Sequence, residues 1–101
     1  MNEPLPDLQD ALIDRATLWQ LADDLEAHTQ ILDIRQKGGP VRRADTSEVT
    51  LREAFHALEA RAVFGVQIAY HYQGVTWRDT LLATPEGLRI VRMPWPTEAP
   101  G

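Results

Sequence analysis

Phe64-Gly65-Val66-Gln67-Ile68-Ala69-Tyr70-His71-Tyr72 changes character at every step: Phe64, Val66, Ile68, Tyr70 and Tyr72 alternate with Gly65, Gln67, Ala69 and His71. A period of two is that of a β-strand with one buried face. Gln73-Gly74 then supplies a turn, and Val75–Thr84 reads as the returning strand. Thr84-Pro85-Glu86-Gly87 fits a type I turn, with proline presetting φ and glycine supplying a left-handed residue. A third strand over 88–93 completes a meander. With a two-residue loop at Gln73-Gly74, Tyr70 opposes Trp77 and Ile68 opposes Asp79 on one face, whereas a slip of one residue would turn the whole set over.

Ahead of the meander the period becomes helical. Thr50-Leu51-Arg52-Glu53 has the form of a capping box, and Leu51, Ala54, Phe55 and Leu58 share the helix face behind it. Thr17-Leu18-Trp19-Gln20 has the same form. Leu18, Leu21, Ala22 and Leu25 follow at i, i+3, i+4 and i+7, so a helix is predicted over 18–27, with Asp23, Asp24 and Glu26 facing water. Pro6 and Asp7 suit a helix start, which predicts a further short helix over 8–14. Ile31-Leu32-Asp33-Ile34-Arg35, stopped by Gly38-Gly39-Pro40, predicts a strand over 30–36. Residues 41–49 read as an exposed connection.

This order predicts an α+β fold: an antiparallel three- to four-stranded sheet, with a β-meander in the C-terminal half and two to three helices packed on one face. Residues 1–93 are expected to form a single domain. Residues 94–101 are expected to be a flexible proline-rich tail, because Pro94-Trp95-Pro96 cannot join a ladder as a central strand. A chain of 101 residues suits one core, and 44% apolar with 25% charged residues is ordinary globular composition.

The absence of cysteine excludes disulfides, thiolate catalysis and cysteine-ligated metals. Residues 1–7 carry neither a basic region nor an apolar segment, and no apolar run is long enough to span a bilayer, so a cytoplasmic chain without membrane contact is expected. The net charge of −5 is uneven: residues 1–33 hold eight acids against Arg15, whereas residues 34–61 hold six bases against four acids. The acidic N-terminal third disfavours nucleic acid, whose binding draws on lysine and arginine.

Candidate site residues divide into surface and interior sets. His28, His56 and His71 show neither His-x-His nor His-x-x-x-His spacing, so no metal or cofactor is expected. Gly38-Gly39-Pro40-Val41-Arg42-Arg43 has glycines before bases but matches no phosphate loop. Arg42 and Arg43 instead suit an acidic partner, which guanidinium forks engage bidentately. Trp95 between two prolines either folds back or hooks a partner, and Asp23, Asp24 and Glu26 form an acidic face. In the interior, a carboxylate at Asp79 demands pairing, with Arg89 or Arg92 as the arginine according to register. Tyr70, Trp77, Asp79 and Arg92 would line a pocket if that site were open, with Asp79 as general base.

The leading expectation is a small non-catalytic accessory or regulatory module that binds another protein, through Arg42, Arg43, Trp95, Asp23, Asp24 and Glu26. A homodimer through an exposed edge strand accompanies it. The alternative is a small-molecule-binding domain or minor enzyme with a sheet-lined pocket. A further alternative is an acidic decoy of nucleic acid.

Overall fold

The computed structural model describes residues 10–38 and 49–94. In chain order these form β1 (Asp10–Ile13), α1 (Arg15–His28), β2 (Gln30–Lys37), α2 (Leu51–Glu59), β3 (Gly65–Tyr72), β4 (Val75–Thr84) and β5 (Gly87–Pro94). All strands pair antiparallel in one five-stranded sheet of order β1-β5-β4-β3-β2. The α+β class is as expected, with one strand more than predicted and two helices among the described residues.

The extra strand replaces the helix expected over 8–14. Asp10–Ile13 lies along β5, where Ala11 faces Ile90 and Ile13 faces Leu88. Both side chains pack against the core, and Asp10 meets Arg89 at 2.8 Å. A helix over 8–14 would make only about two turns, whereas as a strand Asp10–Ile13 pair the free side of β5.

α1 starts three residues earlier than the sequence suggested. The Asp14 carboxylate, not the Thr17 hydroxyl, caps it, accepting the Thr17 backbone N–H at 2.8 Å. The Thr17–Gln20 pattern therefore falls inside the helix. Its buried side is nevertheless the expected Leu18, Leu21, Ala22 and Leu25.

At α2 the capping box is complete: the Glu53 N–H donates to the Thr50 hydroxyl at 3.0 Å, and the Thr50 N–H donates to the Glu53 carboxylate at 3.1 Å. The helix ends in a Schellman motif. The Ala62 N–H reaches the Ala57 carbonyl at 2.9 Å and the Arg61 N–H that of Leu58 at 3.0 Å, which sets Arg61 in the left-handed region at φ 59°.

The meander has the expected register. Gln73 and Gly74 turn with φ of 51° and 82°, both positive, as a two-residue hairpin loop requires. Tyr70 accordingly faces Trp77 and Ile68 faces Asp79. β5 runs to Pro94, one residue into the segment assigned to the tail.

Both helices lie on one side of the sheet. Their buried leucines and Phe55 form one cluster with Val66, Ile68 and Tyr70 of β3, Leu81 of β4 and Ile90 of β5. Ile31 and Ile34 of β2 pack on its margin. Leu12, Leu82, Val91 and Met93 alternate to the other side and take no part in this core.

Candidate functional site

The polar cluster anticipated around Asp79 is present and sits within the helix-covered layer. β4 and β5 pair Asp79 with Arg92, which selects Arg92 over Arg89 as the partner. The guanidinium donates through Nε to Asp79 Oδ1 at 2.9 Å and through Nη2 to Oδ2 at 2.8 Å. The Tyr70 hydroxyl donates to Oδ1 at 3.0 Å. The Asp79 and Arg92 side chains are 0% and 6% exposed. Burial pushes the Tyr70 phenol well above its ordinary value of 10.0, and the negative charge of Asp79 adds to the push.

Trp77 stands beside Tyr70 on the same face, half-buried against the core. The four residues named for a sheet-lined pocket are thus neighbours. Both oxygens of the carboxylate are already held by fixed donors, so taking a proton from a bound molecule would require the Arg92 fork to open. In its closed form this arrangement specifies register: a slip at β4–β5 would leave a charge buried without its counterpart.

The acidic face of α1 is engaged within the chain. Arg52 of α2 donates through Nη2 to Asp23 at 2.6 Å and to Glu26 at 3.0 Å, and stacks 5.7 Å above the Trp19 ring. Gln20 donates to Asp24 at 3.2 Å. Asp23 and Glu26 therefore fasten one helix to the other across a solvent-exposed seam. Arg42, Arg43 and Trp95 lie outside the described residues.

Among the described residues, the helix-free side of the sheet forms one continuous face across all five strands. Across β1, β5, β4, β3 and β2, register places Leu12, Arg89, Leu82, Gly65 and Lys37 in one row. Asp10, Val91, Thr80, Gln67 and Arg35 form the next, followed by Met93, Arg78, Ala69 and Asp33. Leu12 and Met93 are 56% and 40% exposed. No helix among the described residues packs here.

Charge also divides across the sheet. α1 and α2 carry five acids and two arginines, whereas these three rows carry Arg35, Lys37, Arg78 and Arg89 against Asp10 and Asp33. Asp10 is taken up by Arg89, and Asp33 by Arg35 at 2.8 Å.

Sequence reading had already turned Gln67, Ala69 and His71 away from the core. It missed this surface because Leu12, Val91 and Met93 join it only once the strand order is known.

Compared with family models, curated proteins and solved structures, the chain has no significant match. Among the described residues no group of three or more histidines and carboxylates converges to hold a metal ion. No described helix is long and apolar enough to cross a membrane.

Proposed function

We propose that the chain is a non-catalytic interaction module, which binds another protein on the helix-free face of its sheet and favours an acidic segment with apolar anchors. The observation that supports this reading is the composition of that face. Exposed Leu12 and Met93 lie among Leu82 and Val91, with four cationic side chains against two carboxylates. An apolar patch rimmed by charge of one predominant sign is the form that protein docking surfaces take. Arg42, Arg43 and Trp95 stay candidates for further contacts, and edge-strand dimerisation belongs to the same reading. The pocket alternative draws less support, since the Asp79 carboxylate, buried on the helix side, is held by Arg92 and Tyr70.

Affinity capture from the native host's lysate tests the reading, with wild type set beside Thr80→Glu, Met93→Glu and beside the helix-side control Arg15→Glu. A stoichiometric protein retained by the control and lost by the double variant is the expected result. Equal retention by all three would overturn the assignment of the face. A thermal-shift screen of metabolites reads out the pocket alternative directly, because a ligand of the folded state raises the midpoint with concentration.

A further inference from the structure

We infer that β2 is a homodimerisation strand, and that its charges favour the register in which Ile34 of one copy faces Ile34 of the other. β2 is the long edge of the sheet, eight residues against the four of β1, with no described strand on its outer side. The bulge between Ile31 and Asp33 leaves a regular stretch from Asp33 to Lys37. Along it Asp33, Arg35 and Lys37 face the helix-free side, and Ile34 faces the helix layer.

Two copies of one strand can pair antiparallel about a two-fold axis normal to the sheet, which keeps both helix layers on the same side. Centring that axis on Ile34 brings Asp33 of each copy opposite Arg35 of the other, twice by symmetry, with the two isoleucines in contact below. Centring it on Asp33 opposes two carboxylates, and centring it on Gln36 opposes Arg35 with Lys37 twice. Centring it on Arg35 sets Arg35 against Arg35 at the axis, although it brings Asp33 opposite Lys37 on either side. Charges on an edge strand ordinarily blunt association, and of these registers the one centred on Ile34 alone carries attractive pairs with no like-charge contact. In the single chain Asp33 and Arg35 pair with each other along the strand, with side chains 47% and 71% exposed. They are therefore positioned to exchange partners across a dimer axis. This inference deepens the interaction-module reading. It shares Asp33 and Arg35 with the margin of the helix-free face, but Thr80 and Met93, which test that face, lie on β4 and β5 away from the β2 edge, so the two can fail separately.

The test is the molar mass of purified protein across a concentration series, by sedimentation equilibrium. Wild type is expected to pass from monomer to dimer. Asp33→Arg alone and Arg35→Asp alone each oppose like charges across the axis and are expected to raise the dissociation constant by about tenfold or more. An equimolar mixture of the two variants restores both attractive pairs and is expected to recover the dimer. Both changes are on exposed side chains, and circular dichroism checks their folding. The chain has no cysteine, so Ile34→Cys gives a clean second measurement. Mild oxidation should link two copies through position 34, while Gln36→Cys should not link. A wild type that stays monomeric, or a mixture no tighter than its components, would overturn the inference. A partner bound on the helix-free face by that same monomer would leave the functional reading intact.

Discussion

Arg92 holds Asp79 by two hydrogen bonds of 2.9 and 2.8 Å across β4 and β5, in side chains almost wholly removed from solvent. A buried pair of this kind adds little net stability over an apolar pair of the same shape, yet breaking it strands a charge. The geometry therefore makes the pair a register lock more than a source of stability.

Arg92→Leu is expected to cost about 3–5 kcal/mol, because the Asp79 carboxylate is left buried without its counter-charge. The triple change Tyr70→Phe, Asp79→Leu, Arg92→Leu removes every member of the cluster and should cost less than Arg92→Leu alone. Urea unfolding of the set measures both. Equal losses would show that the stranded carboxylate is not the source of the penalty.

The Tyr70 phenol makes alkaline stability diagnostic. Its folded-state value is raised, so above the ordinary 10.0 the unfolded chain has lost a proton that the folded chain keeps. The stabilisation is fully present below that pH and declines as pH rises, with a slope approaching about 1.4 kcal/mol per pH unit. Tyr70→Phe should remove this component of the decline while lowering stability at neutral pH by about 1–2 kcal/mol, through the lost bond to Asp79. Denaturant titrations at a series of alkaline pH values separate the two effects.

How much of this was legible in the sequence depends on how local each signal is. The Thr50–Glu53 box is complete within four residues, and both of its bonds form. The β3–β4 register followed from a two-residue turn, and from it Asp79 with one of two arginines. By contrast, β1 is a strand only because β5 lies beside it, and Asp10 meets Arg89 across 79 positions of chain. No window around Asp10 contains that partner, so Pro6 and Asp7 suggested a helix. The Thr17–Gln20 pattern misled differently: Asp14 offered a cap one turn earlier, and the longer helix prevailed. The helix-free face was half visible, in the outward residues of β3, and its remainder waited on strand order.

Arg61 occupies the left-handed position that closes α2, with φ of 59° where glycine is the usual residue. Arg61→Gly is expected to stabilise the chain by about 0.5–1 kcal/mol, the relief of backbone strain exceeding the added freedom of the unfolded chain. Thr50→Ala at the other end should destabilise by about 1 kcal/mol. Thermal unfolding midpoints moving in opposite directions would bear this out, and a destabilising glycine would mean that the Arg61 side chain matters more than its backbone.

Photo-crosslinking from the centre of the helix-free face tests the functional proposal most directly. A benzophenone amino acid in place of Thr80, on β4 between Gln67 and Val91, is irradiated in the native host beside a second probe at Ala60, past the end of α2. The proposal predicts a discrete adduct with another protein from position 80, absent from position 60 and weakened by Met93→Glu. Adducts from position 60 alone, or none from position 80 in a folded and expressed protein, would contradict it.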